Sequence, residues 1–441
     1  MNSGALLRRE AQAVSPSMTQ ARAEKQTDTI KSAFLWVVPI VLMFERNMPT
    51  VAGLSSGFVT VSLLLLYVFV VRYKKFMLIL GTVPFFFAAG FITICGIVEF
   101  VSPSSDFRFL TRSALMFGGA LLLGALCETS RDFRTLSSSF IVVAVAWAGL
   151  MILAVVGVLQ SGGLAAGGDV LRSQATGSLV LDEDPNTIAL ISAVGSMLSF
   201  ILATSRTGIM QKGLYFCSAF CALGVVTSGS RSGLLTLVLC FVAVAVWIPS
   251  IRRQAGRAGL VGLVVGLIVL PDVFFDRVAQ TVAMERTAEN DGRMYLYTAA
   301  WRSLGDYFLM GVGDGNYWSS WGAENGFSTA WDGKVSGAHN AFLQVLISWG
   351  IIPMLILAGF VFSLVRYPIL EASRSDERAL ALVCCVGLAM FWMTLHVIYH
   401  KYSMIMVAVL FGYYVRQRFG EGRAAPPRTA ARPTRLAGLP A

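Results

Sequence analysis

The stretch SGLLTLVLCFVAVAVWIP at residues 232–249 contains no charged side chain. A helix of about twenty apolar residues is long enough to cross the roughly 30 Å hydrocarbon core of a bilayer. Similar runs recur along a chain that is 56% hydrophobic and only 14% charged. The sequence therefore predicts an all-α polytopic membrane protein.

Apolar runs of this kind divide the chain into about twelve predicted spans. We expect a polar N-terminal tail at 1–31 without the apolar core of a signal peptide, and a single transmembrane domain at 32–415. The tail at 416–441 is rich in Arg, Pro and Ala, which predicts disorder. The runs lie near 33–53, 54–71, 76–101, 109–127, 136–160, 186–204, 211–229, 232–249, 257–273, 339–365, 378–399 and 402–415.

Lysine and arginine mark every second connection between the predicted spans. Because basic loops are retained in the cytoplasm, this alternation predicts that both termini are cytoplasmic. It also accounts for most of the net charge of +10, so we expect contact with membrane lipids and no nucleic-acid partner. The basic residues of these connections are Arg72, Lys74, Lys75, Arg131, Arg134, Arg206, Lys212, Arg252, Arg253, Arg257, Arg366, Arg374 and Arg378.

Two predicted outer connections are long, at about 161–185 and 274–338. The second, between spans 9 and 10, contains a possible helix N-cap at Asn290-Asp291-Gly292. Apolar residues then recur at helical spacing, which predicts an amphipathic helix on the outer membrane surface. This stripe consists of Tyr297, Trp301, Leu304 and Phe308.

The segment Gly311-Val312-Gly313-Asp314-Gly315-Asn316 follows that predicted helix. Its glycines suit tight turns, and we favour turns over a phosphate-binding loop because no strand precedes the segment. Aromatic residues come next, and they are suited either to stacking on sugar rings or to anchoring the loop at the membrane interface. These residues are Trp318, Trp321, Phe327 and Trp331.

Three arginines of the outer segments are candidates for binding an anion. Arg231 lies in a turn with hardly any loop between two apolar runs, where a permanent charge is costly unless it faces a polar cavity or an anion. Arg293 lies in the first turn of the amphipathic helix, where it can grip phosphate oxygens or touch lipid headgroups. Arg172 belongs to the first outer loop.

No metal site is predicted. Asp182-Glu183-Asp184 resembles the acidic motif of metal-dependent sugar transferases, but Asp184 followed by Pro185 fits better as an N-cap with proline in the first turn. All seven cysteines fall in or at the ends of apolar runs, so neither a disulfide framework nor a zinc site is expected.

His339 ends the long outer loop and is the candidate for acid–base chemistry. A histidine with a reference pKa of about 6.5 is suited to remove a proton near neutral pH. His396 and His400 lie at another outer span end without any motif, so a lone histidine there is also explained as an interfacial residue. The arginines in the outer segments favour the functional interpretation.

Taken in order, these motifs resemble the family of O-antigen ligases and Wzy-type polymerases over about residues 170–360. The pattern His-Asn, nine residues, Gly is present through Gly350. After two further residues the family pattern has Gly, Thr or Tyr, whereas this chain has Pro353. The motifs are Arg172 with Gly177, Asp184-Pro185-Asn186, Ser228 to Gly233, Gly292-Arg293 with Trp301, Gly311 to Gly313, and His339-Asn340 with Gly350.

The resemblance implies a glycosyltransferase of the bacterial inner membrane that takes a glycan from undecaprenyl diphosphate and passes it to an acceptor hydroxyl on the periplasmic side. His339 would be the catalytic base, and Arg231, Arg293 and Arg172 would bind the diphosphate in place of a metal, without any cofactor. A one-step attack would invert the anomeric carbon. Supporting positions are Asn340, Ser230, Asp291 and Gly350, with Asp291 or Glu289 suited to orient the histidine.

Other functions remain open at the level of the sequence. The acceptor can be lipid A core, for a ligase, or a second lipid-linked glycan, for a polymerase; the His-Asn-Gly spacing leans slightly to the ligase. A chain-length regulator is a further possible partner. A flippase for lipid-linked oligosaccharide would also have many spans but would distribute polar groups through them. A non-catalytic partner in envelope assembly would leave the arginines and His339 without a role.

Overall fold

The protein is helical throughout the part of the chain that the structure describes, and that part contains no strand. The structure is a computed structural model and describes residues 18–45, 55–155, 184–249, 251–254, 256, 292–327, 335–371, 375–395, 398 and 400–419. Its helices of eight residues or more are α1 (Met18–Phe44), α2 (Ser56–Val71), α3 (Tyr73–Leu80), α4 (Val83–Val101), α5 (Arg108–Ala125), α6 (Ser130–Val155), α7 (Pro185–Thr204), α8 (Gly208–Thr227), α9 (Arg231–Trp247), α10 (Gly292–Arg302), α11 (Ala341–Trp349), α12 (Ile351–Leu370), α13 (Asp376–Thr394) and α14 (Lys401–Phe419).

Six of the described helices are long and apolar enough to cross a membrane, namely α4, α6, α7, α8, α12 and α13. The helices α2 and α9 are apolar but shorter. These lengths and compositions support the predicted all-α membrane protein. The number of twelve spans stays a prediction, and the predicted span at 257–273 lies outside the described residues.

The helix α7 is the centre of the bundle, with α6, α8, α9 and α13 packed around it. Every residue from Thr187 to Ala203 is buried. Small residues allow the close approach: a Cβ added at Gly195 would lie 2.1 Å from Ala144 Cβ, and one added at Gly233 would lie 2.4 Å from Ala189 Cβ. Small residues at helix interfaces favour association in membranes, where burial from water does not drive it.

The connections between helices gather at two opposite ends of the bundle. One end, here the His339 face, joins the 102–107 loop to the segment 311–327, for example through Ser102 Oγ, which donates to Val312 O at 3.1 Å. The other end, the Arg378 face, contains the connections around 128–132 and 371–378.

Charged side chains hold the Arg378 face together. Arg378 is buried and donates to Pro368 O at 2.8 Å and to Trp247 O at 3.4 Å, so it satisfies carbonyls at the ends of α12 and α9. Lys31, also buried, pairs with Asp132 at 3.0 Å. A buried charge needs such partners, which explains why these residues face one another.

The structure describes part of each predicted tail. In the segment 1–31, predicted to be a polar tail, α1 begins at Met18 and carries Lys31 into the ion pair with Asp132. The tail predicted at 416–441 begins inside a helix, because α14 continues to Phe419. In both places the helix extends beyond its apolar part because polar residues on the Arg378 face have partners there; Arg416, for instance, pairs with Glu377 at 2.7 Å.

The predicted span at 339–365 is not a single helix. It breaks at Gly350, whose φ of 85° no helix accommodates, into α11 and α12. With 20 residues, α12 alone is about 30 Å long and can cross the hydrocarbon core. Pro353 lies in the first turn of α12, where a proline is tolerated.

A helix is present where the amphipathic helix was predicted, but its buried face differs. The side chains that pack inward are Leu296, Ala299 and Ala300, whereas Trp301 of the predicted stripe is 76% exposed. The helix α10 ends at Arg302, so Leu304 belongs to a separate short helical turn and the stripe is not continuous. The aromatic side of α10 thus points away from the protein core.

Candidate functional site

His339 has an unusual backbone conformation. Its φ is 49°, and among the described residues it is the non-glycine position with a positive φ. This left-handed conformation is unfavourable for a residue with a Cβ and often marks a functional site. The side chain is half-buried.

The residues on either side of His339 are held by side-chain amides. Asn340 is the N-cap of α11, and its Oδ1 accepts from Leu343 N at 3.0 Å. On the other side, Ala338 N donates to Gln344 Oε1 at 3.0 Å. The left-handed residue therefore lies between two fixed peptides at the start of a helix.

Arg231 is the first residue of α9. Ser230 caps this helix by accepting from Gly233 N at 3.2 Å. An arginine at the positive end of a helix dipole is unfavourable for the helix. Arg231 is exposed, and no carboxylate of the described residues pairs with it. Its guanidinium is therefore accessible from outside the bundle.

The start of α7 is tied to this turn. Asp184 caps α7 by accepting from Asn186 N at 3.2 Å, which is the capping role predicted from Asp184-Pro185. Ser230 Oγ donates to Asn186 Oδ1 at 2.9 Å, while the Asn186 amide nitrogen contacts both Asp184 carboxylate oxygens at 3.2 Å. Asn186 thus joins the two polar turns that flank Arg231.

Arg231 and His339 lie at the same level of the bundle. The antiparallel helices α9 and α13 meet where Cys240 Sγ lies 3.8 Å from Val383 O. Arg231 lies nine residues before this contact on α9, and Trp392 lies nine residues after it on α13. Both steps run toward the His339 face. The Trp392 ring packs edge-on against Phe342 of α11 at 6.0 Å, three residues after His339. The tertiary structure therefore places the two predicted residues at the same end of the bundle.

The glycine-rich segment binds a carboxylate of the chain itself. Glu99, 1% exposed, accepts from Asp314 N at 2.8 Å and from Gly315 N at 3.0 Å. Gly311 and Gly313 have φ values of 70° and 82°, as the preference for tight turns predicted. Because Glu99 occupies these N–H groups, they are not open to a phosphate.

Asp314 lies beside Glu99 in the same cluster. Its Oδ1 accepts from Trp318 Nε1 at 3.0 Å and from Ser348 Oγ at 3.4 Å. Removal from water and, secondarily, the nearby Glu99 raise the pKa of Asp314 to about 7. This carboxyl group titrates in the physiological range.

The aromatic residues of this segment divide into two groups. Phe327 is fully buried, and its ring stacks on Trp321 at 5.7 Å, so these two rings build a local core with Tyr317. Trp318 is 40% exposed and is the described member suited to contact a sugar. Trp331 lies outside the described residues.

The remaining predicted site residues are described only in part. Arg293 lies in the first turn of α10, and its side chain is outside the description. Arg172, Asp291 and Glu289 lie outside the described residues as well. Gly350 is the break between α11 and α12, so its supporting role is to shape the backbone.

Sequence reasoning missed Gln344 and Glu99. Both are polar residues inside apolar runs, at 339–365 and 76–101. Polar groups in such runs are costly without partners and are therefore candidates for a function. Neither has a recognisable motif spacing, and only tertiary contacts identify what they bind.

Fold and site together define a polytopic helical membrane protein with a histidine and an arginine at one end of its bundle. Within this class, residues 216–358, which are 143 of the 441, match the model of the O-antigen ligase family. The match confirms the resemblance seen in the motifs and includes Arg231, Arg293, His339 and Gly350. It supports an O-antigen ligase or polymerase type of membrane enzyme that uses lipid-linked glycans. No curated protein matches the sequence.

Proposed function

We propose that this protein is an O-antigen ligase of the bacterial inner membrane. It transfers a glycan from undecaprenyl diphosphate to a hydroxyl of lipid A core on the periplasmic side, which is the His339 face. The observation that carries the proposal is the placement of a left-handed His339 level with the exposed Arg231, within the part of the chain that matches the family.

In the proposed reaction His339 acts as the general base. The imidazole takes the proton of the acceptor hydroxyl while its oxygen attacks the anomeric carbon. The bond from this carbon to the diphosphate oxygen breaks, and the diphosphate leaves with the electron pair. Attack opposite the leaving group in one step inverts the anomeric configuration.

Arg231 stabilises the diphosphate as its negative charge grows. A fixed guanidinium is charged at every physiological pH and binds phosphate oxygens in pairs. Arg293 and Arg172 are proposed as further cations, so the reaction would not need a divalent metal. Ser230 and Asn186 support Arg231 by fixing the start of α9 against α7.

The test uses the purified protein in detergent with EDTA, undecaprenyl-diphosphate-linked glycan, and either lipid A core or no added acceptor. Wild type is expected to join glycan to lipid A core. His339→Asn should lower the rate by about 10²–10⁴-fold, the contribution of a general base. Asparagine suits this position because it tolerates the left-handed conformation but cannot act as a base. Arg231→Ala should cost about 10²–10³-fold.

Two matched variants serve as controls. His400→Ala removes a histidine that stacks on Tyr402 at 4.8 Å, and Arg108→Ala removes an exposed arginine near the same face. Both should retain activity. A ladder of longer lipid-linked chains without lipid A core would identify a polymerase instead. Wild-type activity in His339→Asn would contradict the catalytic role, and no product with an intact donor would favour the flippase for lipid-linked oligosaccharide.

A further inference from the structure

The peptide before His339 is held by a buried side chain that the proposed chemistry does not use. Gln344 is 5% exposed and lies one turn into α11. Its Oε1 accepts from Ala338 N at 3.0 Å. This bond reaches back six residues, across His339, and therefore sets the direction from which the chain enters that residue.

The orientation of the Gln344 amide is itself enforced. Its Nε2 donates to Ser348 Oγ at 3.2 Å, and Ser348 Oγ donates to Asp314 Oδ1 at 3.4 Å. Because the hydroxyl hydrogen points to the carboxylate, the hydroxyl oxygen can only accept from Gln344. A flipped amide would place its NH₂ group against Ala338 N–H and lose both bonds.

This series of hydrogen bonds is anchored at its far end to another helix. Asp314 N donates to Glu99 Oε2 at 2.8 Å, and Glu99 belongs to α4. The series Ala338, Gln344, Ser348 and Asp314 thus connects the segment that carries His339 to a rigid helix end. Buried polar chains with every bond satisfied make a local structure rigid.

We propose that Gln344 is a positioning residue that maintains the left-handed conformation of His339 and thereby places its imidazole for proton removal. This inference rests on the proposed function, because it assigns to His339 the role of base. Loss of the bond from Ala338 N removes a restraint that holds His339 in its unfavourable φ. A small displacement of a catalytic group lowers the rate strongly.

The test compares kcat and KM of two variants that remove different hydrogen bonds of this series. Gln344→Met keeps the length of the side chain and removes both hydrogen bonds. We expect kcat to fall at least about tenfold, with KM for the lipid-linked donor within about twofold of wild type. Ser348→Ala removes the support of the amide but leaves its bond to Ala338, so a smaller fall in kcat of about threefold is expected.

The matched control is Ser363→Ala. Ser363 is equally buried, lies in α12 and donates only to Phe360 O, so it measures the effect of losing a buried hydroxyl away from His339. Its kcat should be unchanged. Thermal unfolding of all variants is recorded in the same detergent, and the melting temperature of Gln344→Met should lie near that of Ser363→Ala.

The outcomes separate this inference from the proposed function. A wild-type kcat in Gln344→Met, or an increase in KM alone, would overturn the positioning role. If Gln344→Met does not fold, Ser348→Ala decides, and a wild-type kcat there has the same meaning. His339→Asn is measured alongside: if it is inactive while Gln344→Met is active, only the positioning role fails, and if it is active, the proposed function fails.

Discussion

His339 and Asp314 are two titratable side chains on one face, and their surroundings differ. His339 is half-exposed in a left-handed conformation at the start of α11. Asp314 is turned inward, next to Glu99, and holds Trp318 and Ser348. We propose His339 for the chemistry, while Asp314 organises the segment behind it.

The raised pKa of Asp314, about 7 against an ordinary 3.8, predicts a pH dependence of stability. Between these two values the unfolded chain is ionised at Asp314 while the folded chain keeps the proton. Folding therefore binds the proton, and the stability from this group, fully present below pH 3.8, is lost as pH rises toward 7. In Asp314→Asn, which has no charge to titrate, the melting temperature should fall less between pH 5 and 7.5 than in wild type.

Tryptophan fluorescence during thermal unfolding in detergent measures this slope. Asp306→Asn is the control, since Asp306 is an exposed aspartate of the same polar segment and its replacement should leave the wild-type slope. Equal slopes in wild type and Asp314→Asn would mean that Asp314 is already ionised across this range.

Among the helices, the break between α11 and α12 shapes the site most directly. The first turn of α11 contacts α13 through Phe342, and its last residue, Trp349, stacks on Phe109 of α5 at 3.9 Å. The helix thus runs from α13 to α5 across the His339 face, while α12 continues into the membrane. The backbone changes direction at Gly350, where φ is 85°.

Gly350→Ala is expected to destabilise this junction. An added Cβ would lie 2.4 Å from Leu309 O, in a conformation that already disfavours side chains. We expect a loss of about 1–3 kcal/mol, seen as a lower melting temperature and a lower yield of folded protein. Gly118→Ala, in α5 with nothing within 4 Å of the added Cβ, should be neutral or slightly stabilising. Equal melting temperatures of the two variants would contradict the tight junction.

For the whole molecule, the two faces predict which loops are accessible from each side of the membrane. Ser320 lies exposed on the His339 face, and Thr207 lies exposed between α7 and α8, at the opposite end. In cells with a permeabilised outer membrane, an impermeant maleimide should label Ser320→Cys at once. Thr207→Cys should be labelled only after the inner membrane is opened.

The native chain is the control for this labelling. Its seven cysteines are buried or half-buried thiols, so background labelling should be low. Labelling of Thr207→Cys before lysis, together with protection of Ser320→Cys, would invert the proposed orientation and move the His339 face to the cytoplasm.

The amino-acid sequence by itself was sufficient for the helical class, the resemblance to the O-antigen ligase family and the cap of α7, because these depend on local patterns. Apolar runs indicate a membrane helix, and Asp184, the cap predicted from Asp184-Pro185, accepts from Asn186 N two residues away. The roles of His339 and Arg231 as base and diphosphate ligand are predictions from the same local motifs.

Tertiary structure alone decided the shape and support of the site, because these depend on contacts between distant segments. The bond from Asp314 N to Glu99 joins residues 215 positions apart, and no periodicity of the sequence predicts such a pair. The split at Gly350 follows from packing against Leu309, and Gln344 is recognisable only once Ser348 and Asp314 lie beside it. Burial requires each polar group to find a partner, and the fold determines which one.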